Sequence, residues 1–423
     1  MDILNRKEIA NGIFLSKVTD ARFKQNRISV SFLTQLSPEK ASVNAVIPKI
    51  LTNSCRIYPD LRSLNAKLSS LYAARLSGSS GSIGDTQEIE ISIKTIDSRY
   101  ALENEDVLSE SVEILLNCIF DPSIEGDGFK KSVTETEKQV CIDQIEAELN
   151  EKRVYAVRRA GELLCKGEPA AIFPQGTIEG VTAVTPESAF AAYQSLLKTA
   201  RIEIICTGCN DFDAITAPLT AAFGKIDRGD MEDCHSKPSP LKSQVLTETE
   251  EMDVNQSKMV LGFKSDSDDM DALVLMTKIY GGSATSKLFD NVREKMSLCY
   301  YCWAKLSVNK RIMFSECGVE KDNIEKAKAE ILAQFELMKT SDFTDSELNH
   351  AVLSLQNDLK LVNDGLSRIK TWYLKQIYLC DVITPETAIQ RYREVTRERI
   401  VKAAQSVKLD TVYILTDGGG DNE

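Results

Sequence analysis

Two stretches of this chain repeat one another at a fixed offset. Residues 181–208 read VTAVTPESAFAAYQSLLKTARIEIICTG, and residues 392–419 read YREVTRERIVKAAQSVKLDTVYILTDGG. Val184-Thr185 matches Val395-Thr396, Glu187 matches Glu398, and Gln194-Ser195 matches Gln405-Ser406, each pair 211 residues apart. Gapless matches at one offset point to an internal duplication, which restricts the chain to a fold of two related halves. Both copies predict the same local structure. Thr185 and Thr396 can N-cap a helix, and an acidic residue two positions later favours its N-terminus. Pro186 suits the first helical position. An apolar strand then follows, at 202–206 and at 411–415.

The rest of each half repeats more loosely. Residues 28–33 alternate like a strand and precede a helical pattern over 42–52. Residues 259–263 and the helical pattern that ends at Gly281-Gly282 are their counterparts. Proline-free helical stretches cover 134–166 and 344–379. The fold class expected is α+β: two homologous α/β-sandwich-like halves, each a mainly antiparallel sheet with helices packed on one face. The halves fall at 1–233 and 245–418. The segment CHSKPSPLKSQ, 234–244, reads as an exposed linker, and 419–423 as a disordered tail.

Composition narrows the function classes. The chain has 423 residues, 43% hydrophobic and 27% charged, as in ordinary globular proteins. No run of about 18 apolar residues occurs, so no membrane span is expected, and the N-terminal stretch has no unbroken apolar run long enough for an export leader. That reading places the chain in the cytoplasm. A net charge of −12 without a basic run argues against nucleic acid. The 11 cysteines are scattered and odd in number, which predicts reduced, mostly buried thiols rather than a disulfide framework.

One segment carries specific chemistry. Residues 281–303 read GGSATSKLFDNVREKMSLCYYCW. It resembles the segment of the insulinase/pitrilysin/mitochondrial-processing-peptidase superfamily that runs Gly-Gly, small residues, Ser-Arg-Leu-Phe, then Val-Arg-Glu-Lys-x-x-Leu-x-Tyr. The matches are Ser286, Leu288, Phe289, Val292, Arg293, Glu294, Lys295, Leu298 and Tyr300, while Lys287 departs from the usual arginine. The resemblance implies that Arg293 and Tyr300, with Gly281 and Gly282, handle a peptide substrate. A helix over 284–295 would end near Arg293, and the following strand would present Tyr300. A guanidinium can fork onto a peptide carbonyl, and a phenol can donate to a tetrahedral oxyanion.

The family's other signature is missing. Active members of this inverzincin-like group carry His-x-x-Glu-His, whose histidines at i and i+4 bind zinc while the glutamate activates water. This chain has only His235 and His350, 115 residues apart. Ala45, Pro48 and Lys49 fall where the motif would stand, and Asp143 falls nearest the distal glutamate, with Gln144 and Glu146 beside it. The chain is therefore similar to the non-catalytic, YfmF-type members. The resemblance implies no cofactor bound by this chain, zinc on a partner subunit, and a heterodimer with a His-x-x-Glu-His homologue around an unfolded peptide. It leaves room for a homodimer of the isolated chain. Two alternatives stay open: a peptide-binding or structural scaffold of the same fold, and a self-sufficient peptidase with another metal set.

Cys206-x-x-Cys209 and Cys299-x-x-Cys302 could suggest a four-cysteine zinc site. Both lie in or beside strands, where positions i and i+3 are expected on opposite faces. Trp303 and Trp372 read as core residues. The acidic runs 248–253 and 266–271 lack calcium-loop spacing.

Overall fold

The computed structural model describes residues 4–418, so the expected tail at 419–423 lies outside the described residues. The chain forms two compact units. Among the described residues, one contains 4–146, Ile172–His235 and Asn363–Ile383, and the other contains Ala147–Ala171, Ser236–Val362 and 384–418.

The first part of the chain runs β1 (Lys7–Ala10), β2 (Ile13–Thr19), β3 (Gln25–Gln35), α1 (Pro38–Leu51), α2 (Leu61–Ser70), β4 (Arg75–Ile83), β5 (Thr86–Ile96) and α3 (Val107–Phe120). A short pair, β6 (Ile124–Glu125) and β7 (Gly128–Phe129), precedes α4 (Lys131–Asn150) and α5 (Lys152–Leu164). Then come α6 (Ile178–Thr182), α7 (Pro186–Thr199), β8 (Arg201–Gly208) and α8 (Asp213–Phe223). The second part runs β9 (Leu246–Glu251), β10 (Ser257–Ser265), α9 (Met270–Tyr280), a π-helical stretch Leu288–Lys295, β11 (Cys299–Ser307) and β12 (Ile312–Val319). It continues with α10 (Ile324–Lys339), α11 (Asp345–Lys360), α12 (Leu366–Tyr378), α13 (Pro385–Arg393), α14 (Arg397–Ser406) and β13 (Val407–Thr416).

The duplication is written in the sheets. The first has the order β1-β2-β8-β3-β5-β4, the second β9-β13-β10-β12-β11. Leaving out β1, one order maps onto the other strand for strand. Both keep one parallel contact, β2 on β8 and β9 on β13, among antiparallel neighbours. The repeated caps form as expected: Thr185 accepts from Ser188 N, and Thr396 from Arg399 N.

Strand alternation sorts each sheet into two unlike faces. Ile28, Val30 and Phe32 of β3 enter the main core of the first unit, and Met259, Leu261 and Phe263 of β10 enter that of the second. Each such side chain contributes about 1.5–3 kcal/mol on burial. The opposite faces carry polar groups. Ser29, Ser31 and Glu203 lie buried there in the first unit, and Glu316 in the second.

One helix covers each polar face, and it comes from the other half of the sequence. In the second unit, Tyr155, Ala156 and Ala160 of α5 pack on Val260 and Tyr413. In the first, α12 lies on β8 and β3, and Lys370 pairs with Glu88 and with Glu90. The two helices are counterparts in the repeat. The linker 234–244 holds one boundary between the units, at 235/236, and the exchanged helices add the others; within it Cys234 and Ser239 are buried. The long helical stretches also break, at Glu151 and at 361–365, where the exchanged helices begin.

Candidate functional site

The 281–303 segment is built around a close approach. Helix α9 starts on Asp269, whose side chain accepts from Ala272 N and pairs with Arg399 at 2.8 Å. It ends at Gly281, whose carbonyl accepts from Ala304 N of the edge strand β11 at 2.8 Å. A Cβ on Gly281 would stand 2.7 Å from the Ala304 Cβ, so only glycine allows this contact.

The helix expected over 284–295 forms only from Leu288, and as a π-helix. Asn291 Nδ2 bonds the Lys287 carbonyl and Gln334 Oε1, each at 2.9 Å, which holds this wide turn. Such turns are frequent at functional positions. Leu288 and Val292 are buried, while Phe289 and Arg293 form the adjoining ridge. The Arg293 guanidinium lies 4.7 Å from the Phe289 ring centroid, and its only ion pair among the described residues is a loose 3.6 Å contact with Glu294. The stacked, weakly paired guanidinium keeps donors free.

Ser297 then turns the chain with φ 50 into β11. Cys299 pairs with Val319 and Tyr301 with Gly318, so Tyr300 is the extra residue of a β-bulge. Bulges re-aim side chains beside active sites. Here Tyr300 is 66% exposed.

A cavity of about 590 Å³ lies between α9, the π-helix and β11. Gly281, Gly282, Phe289, Arg293 and residues 301–306 line it. Three of the four residues predicted for this site thus share one cavity. Tyr300 does not line it, although its neighbour Tyr301 does.

The bulge overturns one sequence expectation. It shifts the alternation by one residue, so Cys299 and Cys302 both face inward and are buried. The Cys302 thiol bonds with Cys299 and with Cys317, its direct cross-strand partner, and these bonds together with burial push it well above its usual pKa. Cys206 is buried in β8 and pushed up to about 12 by burial, and Cys209 sits past the strand end beside Asn26. Among the described residues no group of His, Cys, Asp or Glu could hold a metal ion.

The degenerate motif positions lie in the first unit. Ala45 and Lys49 of α1, Gly78, Ser79 and Ser80 of β4, Cys141 and Gln144 of α4, and Gln175 line a small cavity of about 150 Å³. Pro48 is buried inside α1, its carbonyl so near Gly78 that a Cβ there would come within 2.1 Å. Asp143 is exposed and accepts from Gln139 at 2.7 Å, away from the cavity lining. Its neighbour Gln144 reaches the cavity, as Cys141 one turn earlier does. A methyl, an ammonium and an amide do not fit a zinc ion.

Sequence reasoning missed Arg153. Its guanidinium stands 4.5 Å from the Tyr301 ring and 5.3 Å from Trp303, and it pairs with Glu316 at 2.6 Å. No local pattern could have joined residues so far apart in the chain. Trp303 and Trp372 are half-buried rather than core, and Trp372 Nε1 donates to the Ile383 carbonyl at 3.0 Å. No helix among the described residues is long and apolar enough to cross a membrane.

Comparison with known proteins finds relatives of the same fold. The family description "Peptidase M16 inactive domain" matches residues 183–355. A curated relative from Bacillus subtilis (strain 168), "Probable inactive metalloprotease YmfF", is 26% identical over 410 residues, 96% of each chain. A conserved protein from Enterococcus faecalis V583 has the same fold, with a TM-score of 0.89, 24% identity and all of both chains covered. So does a peptidase M16 inactive domain from Pseudomonas fluorescens, with a TM-score of 0.78 and 14% identity over 99% of this chain and 100% of that one.

Proposed function

The chain belongs to the peptidase M16 family as an inactive member, and from that premise we propose that it is the non-catalytic subunit of a heterodimeric zinc peptidase. It binds the peptide substrate and presents Arg293 and Tyr300 to the zinc site of a His-x-x-Glu-His partner. The observation that carries this reading is a contrast between the halves. The second unit keeps Arg293 with free donors on a 590 Å³ cavity beside the bulged, exposed Tyr300. The first has Ala45, Lys49 and Gln144 where metal ligands would stand.

Each group has a chemical task. The Arg293 guanidinium donates to a substrate carbonyl and fixes its position. The Tyr300 phenol donates to the oxygen that gains charge as water adds. The partner's zinc supplies the activated water. β4 and β11 are the edge strands of their sheets, and the unpaired stretches of their outer edges suit an extended peptide, whose main chain adds as a further strand.

The test is reconstitution. Mixed with its zinc-bearing homologue, this chain produces peptidase activity that neither protein shows alone. Arg293→Ala and Tyr300→Phe lower that activity by about 10²-fold, the scale of one lost oxyanion donor. Full activity with either variant refutes the role of that residue. A second reading, a scaffold without catalytic part, draws on one observation: Tyr300 stands off the cavity lining. On that reading no activity appears on mixing.

A further inference from the structure

The two units place a cavity at the same point of their shared topology. In each it lies between the helix after the central strand and the edge strand of the sheet: α9 and β11 in one, α1 and β4 in the other. In each, a lysine occupies the last turn of that helix, Lys278 or Lys49. The surroundings of the two ammonium groups differ. Lys278 Nζ meets Asp358 Oδ2 at 2.6 Å. Asp358 and Gln144 are counterparts, each eight residues before the first residue of its exchanged helix, α12 or α5. Gln144 lines the small cavity with Lys49, so an amide replaces the carboxylate that neutralises the other lysine. Lys49 has no ion-pair partner among the described residues. Glu137 is near enough to act on Cys141, but its carboxylate accepts from Asn53 at 2.7 Å.

The remaining wall suits the end of a peptide. No lining residue is acidic, and Ser79 and Ser80 add hydroxyls. Gln175 Oε1 is a buried acceptor without a partner, a state that costs free energy until a donor arrives. Among the described residues strand β4 pairs only with β5, which leaves its other edge open to strand addition. At Ser80 that edge is closed, because Gln175 Nε2 donates to the Ser80 carbonyl at 3.2 Å. An added strand therefore stops at the cavity instead of running past it. A volume of about 150 Å³ holds roughly five waters at about 30 Å³ each, or a carboxylate with a small terminal side chain.

We propose that the Lys49 cavity binds the free C-terminal carboxylate of an extended peptide lying along β4. The proposal rests on the peptide-binding reading above and names which end of the peptide this half holds. Lys49 pairs with the carboxylate, Gln144 and Ser79 donate to it, and the last peptide N–H donates to Gln175 Oε1.

The test uses the full chain alone, without zinc or partner. The probe is a fluorescein-labelled decapeptide of alternating threonine and valine ending in alanine, made as the free acid and as the C-terminal amide. Fluorescence anisotropy gives both affinities. The acid binds at least tenfold tighter than the amide. Lys49→Ala brings the acid down to the level of the amide. Gln144→Asp does the same while keeping the lysine, because it rebuilds the ion pair of the other half. Thermal melts establish that each variant is folded, and Gln144→Asp decides the matter if Lys49→Ala is not. Equal affinity of the two forms, no binding of either, or an acid preference that survives Gln144→Asp overturns the proposal. A lysine that serves only the C-terminus of α1 gives that last result. The assay involves no cleavage, so its failure is separable from failure of the reconstituted peptidase.

Discussion

Arg153 Nε donates to Glu316 Oε1 at 2.6 Å, joining residues 163 positions apart in the chain. Burial pushes the Glu316 carboxyl up, and Arg153 pulls it back towards the charged form. The guanidinium also covers the rings of Tyr301 and Trp303. In Arg153→Ala the burial cost of Glu316 stands without its counter-charge. A carboxyl raised in the folded state stabilises most below its ordinary pKa and loses that contribution as pH rises. The variant is therefore expected to lose about 1–3 kcal/mol at pH 7, a figure reduced for the half-exposed guanidinium. The loss shrinks towards pH 4. Urea melts followed by tryptophan emission measure both, and a loss independent of pH contradicts the pairing.

Lys370 has the opposite sign. Burial pushes the Glu90 carboxyl up, but Lys370 and Arg27 together outweigh it and hold it below the ordinary 4.5. The stability this gives is present above pH 4.5 and is lost as pH falls through the lower folded value. Lys370→Met leaves Glu88 and Glu90 without the ammonium and costs about 3–5 kcal/mol at pH 7. The difference from wild type narrows on acidification. Thermal melts from pH 7 to pH 3 that run parallel for the two proteins count against this account.

Gly78 and Gly281 hold equivalent helix-to-edge-strand contacts. A Cβ on Gly78 meets the Pro48 carbonyl oxygen at 2.1 Å, and backbone cannot step aside as a side chain can. Gly78→Ala is expected to cost about 1–3 kcal/mol through overpacking. Gly126→Ala is the reference, since nothing lies within 4 Å of that position, and its own cost reports only the φ of +63. A Gly78→Ala protein as stable as wild type shows that α1 and β4 have room to separate.

All 11 cysteines are free, but only Cys380 is exposed and Cys209 partly so. Titration of the native protein with an aromatic disulfide reagent releases one equivalent at once and a second slowly. The other nine react after denaturation. Rapid reaction at Cys299 or Cys302 in Cys380→Ser protein means that β11 opens readily.

Much of the fold is legible from local pattern. The N-caps at Thr185 and Thr396, the alternation of β3 and β10, and the glycines ending α9 are signals carried within a few residues. The site is legible only in part, because the 281–303 resemblance names Arg293 and Tyr300 but not their geometry. The π-helix depends on Asn291 reaching Gln334, and the Tyr300 bulge depends on register with β12. Both are long-range, so alternation alone put Cys299 and Cys302 on the wrong faces. Gln144, not Asp143, borders the α1 cavity because helical phase, not residue type, decides which side chain lies on that side of α4. Arg153 has no sequence signal, since its partners come from another part of the chain.

The traded helices α5 and α12 have a consequence for any attempt to dissect this protein. Scission at 234–244 strands each cover on the wrong fragment, so a half expressed singly bares Glu88 and Glu90, or Glu316, to water. Two copies of one half could mend this only by lending each other the same helix, the bargain made in intertwined dimers. The chain is thus a swapped pair sewn end to end. Its fragments should be insoluble apart and should recover a folded spectrum when coexpressed.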